Sequence, residues 1–265
     1  MSDATVSIDT VAVDRARRFG GVARIYGDGA LDVLAAAHIV VIGVGGVGSW
    51  AAEALARSAV GRITLVDMDH VAESNINRQI HALDTTLGRS KIAAMAERIA
   101  AISPRCRVDC VDDFIDTTNA AALVSPDADV VIDAIDAPAA KAALVATCVR
   151  RGQAVIVCGG AGGRVDPLPL VRGDLSASRH DRLLASLRSR LRREHGFTSA
   201  AGERFGVPAL WFDAPAPAGA APVGAAAGIP LACSGYGSLV TVTAPLGFAA
   251  AGLALERALA LHGGR

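Results

Sequence analysis

The run from His38 to Ser58 constrains the fold more than any other part of the chain. An uninterrupted apolar segment, His38 to Gly43 (HIVVIG), passes into a turn carrying Gly43, Gly45, Gly46 and Gly48, and then into a helix-forming stretch from about Ser49 to Ser58. A strand without polar alternation is covered on both faces, which commits the chain to a parallel sheet packed between helices. Glycines at the strand-to-helix turn let the chain bend tightly and let backbone amides approach a phosphate at the helix N-terminus. A second apolar strand, Arg62 to Asp67 (RITLVD), ends in an acid at the position that binds ribose hydroxyls. Together these residues specify a nucleotide site without saying which nucleotide. A turn that serves only helix packing would have no use for Asp67.

The rest of the chain repeats the same alternation. Strands are expected at Arg107 to Val111, Asp129 to Asp133 and Ala154 to Cys158, with helices at Gly88 to Ile102 and Ala139 to Arg151. Ile92, Met95, Ile99 and Ile102 fall on one helical stripe. Right-handed crossovers then give an α/β, Rossmann-like, mostly parallel twisted sheet with helices on both faces. After Gly159 the character changes. Gly159 to Gly163 is a turn, Arg164 to Arg172 an extended segment broken by prolines, and Asp181 to Glu194 an amphipathic helix with Leu183, Leu184, Leu187 and Leu191 on one face. Ala214 to Pro230 reads as a mobile Ala/Pro/Gly loop, and Ser238 to Leu255 as a buried strand and helix that complete the sheet.

Composition narrows the function classes. Twenty-six basic and 26 acidic side chains balance, so no global field draws a polyanion to the molecule. The five cysteines, Cys106, Cys110, Cys148, Cys158 and Cys233, include no C-x-x-C pair. That argues for a reducing compartment and against a four-thiolate zinc site. The N-terminal stretch to Arg18 carries acids and no apolar run, unlike a secretory signal. The 238–255 segment, interrupted by Thr241, Thr243, Pro245 and Gly247, suits a buried element better than a membrane span. The expected location is the cytoplasm, with peripheral membrane contact left open.

The segment after Asp67 discriminates among nucleotides. Ser74 to Gln79 (SNINRQ) is a dense polar cluster, Lys91 opens the next helix, and Asp136 follows Asp133 just past a strand. A dehydrogenase leaves its pyrophosphate mainly to backbone amides, whereas a triphosphate needs cations on its outer phosphates and on the departing group. A carboxylate at that sheet edge suits Mg²⁺ bridged to phosphates. Any one of these residues alone is an ordinary solvated charge. Their arrival in order at one sheet edge is not.

The series IGVGGVG, LVDMD, SNINRQ, Lys91 and DAIDA resembles the ubiquitin-activating enzyme superfamily, including the bacterial adenylating enzymes of molybdopterin and thiamine biosynthesis. The resemblance implies that Gly46, Asp67, Asn75, Asn77, Arg78, Lys91 and Asp136 contact ATP and its metal. It also implies that Arg18 reaches the phosphates of a partner subunit, hence a homodimer. The segments RRFGGVARIYG, GVGSWAAEALARS, DMDHVAESNINRQIHAL, VDDFID and VIDAIDAPAAKAAL followed by GGAGG resemble, more narrowly, the tRNA threonylcarbamoyladenosine dehydratase family. Membership implies an ATP-binding adenylation core over 1–163 and a substrate and dimer portion over 164–265, with a mobile loop near 212–232. It implies adenylation of the threonyl carboxylate of the modified nucleoside at tRNA position 37, followed by ring closure that expels AMP. In this reading Arg78, Lys91, Asp136 and Arg18 are catalytic, Asp136 holds Mg²⁺, and Gly43, Gly45, Gly46, Gly48, Asp67, Asn75 and Asn77 join Arg78 and Lys91 in binding ATP. The alternative is activation of a small carrier protein's C-terminus for sulfur transfer, with a sulfur-transfer partner protein.

Other residues have two readings each. Cys233 is either a nucleophile or a buried thiol, and with no adjacent histidine or basic residue the structural role is preferred. Cys158 reads as core and His81 as a structural hydrogen-bonding residue. The arginines at 179, 182, 188, 190, 192 and 193 suit either tRNA phosphates or a solvated helix face. The Ala- and Pro-rich stretch from Phe212 to Pro230 departs from the family pattern, so no substrate contacts are assigned to it.

Overall fold

A computed structural model describes residues 14–27, 29–200, 202–215 and 237–263. Two short helices open it, α1 (Arg15–Tyr26) and α2 (Ala30–Ala36). Asp14 caps α1 by accepting from the Arg17 amide at 2.9 Å. The nucleotide-binding succession follows as β1 (His38–Ile42), α3 (Gly48–Arg57), β2 (Arg62–Val66), α4 (Lys91–Ile102), β3 (Arg107–Val111), α5 (Ala120–Leu123), β4 (Val130–Asp133), α6 (Pro138–Arg150) and β5 (Ala154–Cys158). The chain continues through β6 (Leu170–Asp174), α7 (Arg182–His195), β7 (Pro208–Phe212) and α8 (Val240–His262).

One seven-stranded sheet runs in the order β3-β2-β1-β4-β5-β7-β6. All pairs are parallel except β6 with β7, so the C-terminal portion does complete the sheet, with an antiparallel edge. Every residue of β1 and of β4 is buried, as the absence of polar alternation requires. Two apolar clusters fill the two faces. One joins β1, α3, α4 and α8, and the other joins β4, α6 and α7.

Between β1 and β4 the strand order reverses, leaving the crevice at the carboxyl edge where ligands of such sheets bind. Gly43 (φ +85°) and Gly48 make the turn there possible. A Cβ on Gly43 would lie 2.9 Å from the Ala134 carbonyl oxygen, and one on Gly48 would strike the Gly43 carbonyl.

Two expectations are corrected. Residues 240–262 form one continuous helix, not a strand and helix, and Pro245 lies inside it. The strands that complete the sheet are β6 and β7, and β7 carried no expectation. By length and composition α8 could cross a membrane, but half of its most apolar window is buried against the protein. It packs along α3, where Trp50 and Phe248 meet edge to face at 5.6 Å. Apolar sequence here reflects a core helix wedged across the layer. The expected extended segment is a strand only from Leu170 onward, and the loop expected near 212–232 lies largely outside the described residues, as does Cys233.

Candidate active site

The turn between β1 and α3 is held from below by Asp67. One of its carboxylate oxygens accepts the Val44 amide at 2.7 Å, and the other accepts the Asp69 amide at 2.8 Å. Asp67 therefore ties the end of β2 to the glycine turn while remaining half-buried at the surface. Gly46 stands where a side chain would crowd: a Cβ there would come within 3.3 Å of Thr243 and 3.4 Å of Arg78.

The SNINRQ segment folds back over this turn. Asn75 is buried and accepts the Ala72 amide at 3.1 Å, a contact that shapes the loop. Arg78 is half-buried and lies against the glycine turn. Its guanidinium donates to the Ser74 carbonyl at 2.7 Å and to the Asn77 side chain at 3.0 Å, and its own carbonyl accepts from the Trp50 indole at 2.9 Å. Asn77 donates to the Ser238 carbonyl at 2.7 Å, joining the site to the start of α8.

Lys91 is buried at the first position of α4, with its ammonium 2.7 Å from the largely exposed carboxylate of Asp69. A buried cation needs an anionic partner, and the Asp69 carboxylate supplies it. Asp136 is exposed in the turn between β4 and α6, at the same sheet edge. Among the described residues no three His, Cys, Asp or Glu side chains gather around one point. That fits a metal held by one carboxylate and substrate phosphates, the usual manner for Mg²⁺.

The fold thus gathers Gly43, Gly45, Gly46, Gly48, Asp67, Asn75, Asn77, Arg78, Lys91 and Asp136 along one edge. Arg18 stays apart. It donates to the Ile102 carbonyl at 2.7 Å, at the end of α4 opposite Lys91. That is about 16 Å away along the helix at 1.5 Å per residue.

Several participants carry no motif. Asp69, Thr243, Ser238 and Trp50 act through contacts between distant segments, and only Asp69 had a signal, the second acid of LVDMD. Gln79 and His81 are buried beside the site, and the Gln79 side-chain oxygen and both His81 ring nitrogens make no hydrogen bond. Burial, with Lys91 and Arg98 nearby, pushes the His81 pKa down to about 4, so its imidazole is neutral. The structural hydrogen bond expected of His81 is not present. Burial pushes the Cys158 thiol up to about 12, as expected of a core residue.

The arginines around α7 are engaged within the chain. Arg179 pairs with Asp213, and Arg190 and Arg193 pair with Glu194. Arg192 lies over the Phe205 ring at 5.1 Å, and Arg188 donates to Ser178. These partners favour the reading of an ordinary solvated helix face.

The ThiF family profile matches residues 17–256. The chain is 45% identical over 252 residues to a tRNA threonylcarbamoyladenosine dehydratase of Escherichia coli, covering 92% of this chain and 94% of that one. It is 41% identical over 244 residues to the protein of the same name in Haemophilus influenzae, with the same coverage of each chain. A crystal structure of the E. coli dehydratase in complex with ATP superimposes with a TM-score of 0.86 at 42% identity, covering 96% of this chain and all of the other. With the family profile matched over residues 17–256 and these relatives alike over nearly the whole length, the chain belongs to the ThiF family.

Proposed function

We propose that the chain is an ATP-dependent tRNA threonylcarbamoyladenosine dehydratase that activates the threonyl carboxylate as an adenylate. The carrying observation is Arg78 lying against the glycine turn at the switch point, with Lys91 beside Asp69 just past the end of β2, in a chain alike over nearly its full length to proteins of that name. The carboxylate attacks the α-phosphorus and pyrophosphate leaves. The side chain's own nitrogen or oxygen then attacks the activated carbonyl and AMP departs with one carboxylate oxygen. A proton is lost from the ring, and the net change is loss of water.

The residues divide this work. Asp67 orients the ribose, the α3 N-terminus and the glycine amides cradle phosphate, and Arg78 and Lys91 hold the charge that grows on the departing pyrophosphate. Bound Mg²⁺ would neutralise the phosphates, and Asp136 is the residue to hold it. Ring closure is intramolecular and draws its rate from proximity, so no enzyme nucleophile is required. Arg18, tied to the far end of α4, would serve the site of a second copy, and a cytoplasmic homodimer follows as part of the reading.

Incubation with ATP, Mg²⁺ and tRNA bearing the threonylcarbamoyl group, followed by nucleoside mass spectrometry under mild conditions, tests it. The expected product lacks one water and appears only with ATP. An unchanged nucleoside, with ATP consumed when carrier proteins are added, would replace this reading with the sulfur-transfer one.

A further inference from the structure

The turn carrying Asp136 is built over a buried ion pair that the adenylation reading leaves unexplained. Lys141, in the first turn of α6, and Asp133, at the end of β4, are both fully buried. The Lys141 ammonium donates to an Asp133 carboxylate oxygen at 2.9 Å, to the Ile135 carbonyl at 3.0 Å and to the Asp133 carbonyl at 3.2 Å. The same carboxylate oxygen accepts the Ile135 amide at 3.2 Å, while the second oxygen of Asp133 has no hydrogen-bond partner among the described residues. Burial raises the Asp133 pKa and Lys141 opposes that shift.

Such a pair is a poor way to stabilise a core. Two charges lose their hydration, and well-packed apolar residues of similar volume often do as well or better. What the pair does supply here is aim. All four contacts of the ammonium and its partner carboxylate lie within residues 133–135, three of them to backbone atoms, on the path leading directly into Asp136. The intervening Ala134 donates its amide to the Ile42 carbonyl at 2.9 Å and sets its own carbonyl where a Cβ on Gly43 would lie 2.9 Å away. The turn that presents Asp136 is therefore also the wall against which the glycine turn rests.

We propose that Lys141 is a positioning residue for adenylation: its ammonium locks residues 133–135 so that Asp136 and the Gly43 turn face the same phosphates. This rests on the ATP-site reading above. Misplacement by about 1 Å at such a site costs on the order of a hundredfold in rate.

The test uses the full chain. Lys141→Met strands a buried carboxylate and is expected to fold poorly, so Asp133→Asn with Lys141→Met, which removes both charges, carries the test. ATP affinity is read by calorimetry in EDTA and again in Mg²⁺, and kcat and KM by tRNA dehydration. The double variant should melt within a few degrees of the parent, bind ATP about tenfold more weakly in EDTA and lose about a hundredfold in kcat. Parental ATP affinity and kcat in a folded double variant would reduce Lys141 to a fold element and overturn the proposal. Should the double variant not fold, amide exchange in the parent decides. Protection of Ile135 comparable with β4 supports the lock, and exchange at the rate of an exposed loop overturns it. Asp136→Asn separates the two readings: an unchanged Mg²⁺ half-saturation would sink the metal assignment while leaving the EDTA affinity to judge Lys141.

Discussion

The two edges of the sheet use charge in opposite ways. At the amino edge, charges pair with one another. Arg62 bridges Asp109 at 2.7 Å and Asp127 at 2.6 Å, His262 meets Asp129 at 2.7 Å, and Asp129 also accepts the His38 amide at 2.8 Å. At the carboxyl edge, Arg78 is held by a carbonyl and an amide side chain, and Lys91 by an exposed carboxylate, partners that a phosphate can displace. A cavity of about 860 Å³ lies at the amino edge among Asp129, Gln153, Val207 and Arg257. A cavity by itself would put the chemistry there. The glycine turn, the strand-order reversal and the displaceable cations put it at the opposite edge, and they weigh more because they correspond to steps of a reaction.

The comparison breaks most readily at Arg78. Arg78→Ala should lower kcat/KM for tRNA dehydration by about 10²–10³, the usual loss for one charge-stabilising donor, with the melting temperature little changed. A loss below fivefold would mean that the carboxyl-edge cations are structural, like those of the other edge.

Gly43→Ala should weaken ATP binding at least tenfold and cost about 1–3 kcal/mol of stability, because alanine is strained at φ +85° and its methyl meets the Ala134 carbonyl. Parental affinity by calorimetry would show that the turn does not touch the nucleotide.

His81 offers a pH test. Its folded pKa of about 4 lies below the unfolded value of 6.5, so the unfolded chain binds the extra proton between them. The advantage of keeping the ring neutral is fully present above pH 6.5 and is lost as pH falls towards 4, amounting to about 3 kcal/mol at the acid end. Denaturant melts of parent and His81→Gln over that range should show a shallower slope in the variant. Parallel slopes would mean that His81 is protonated in the fold.

The smallest effect belongs to the amino edge. Asp127→Asn should cost no more than about 1 kcal/mol, as exposed pairs do, and leave dehydration within twofold. A large activity loss would erase the distinction between the edges.

What could be read in the sequence follows from the reach of each signal. Strands β1, β2 and β5, helix α4 from Lys91 and the glycine turn were legible because apolar runs and glycines act locally. The common placement of Asp67, Arg78, Lys91 and Asp136 was legible because topology delivers the ends of successive parallel strands to one edge. Helix α8 was misread because Pro245 and Gly247 signal a break. In the fold Gly247 is the point where α8 meets α3, with no room for a Cβ against the Val47 carbonyl. Lys141 was invisible for the opposite reason. In the run Ala139 to Leu144 it looks like a solvated helix residue, and only the partner Asp133 shows that its charge belongs inside.

The most direct test of carboxylate activation follows one oxygen atom. With oxygen-18 in the threonyl carboxylate of the tRNA substrate, a single turnover in unlabelled water should release AMP carrying one heavy oxygen and pyrophosphate carrying none. Heavy oxygen in inorganic phosphate, with ADP as the nucleotide product, would show phosphorylation in place of adenylation and contradict the account.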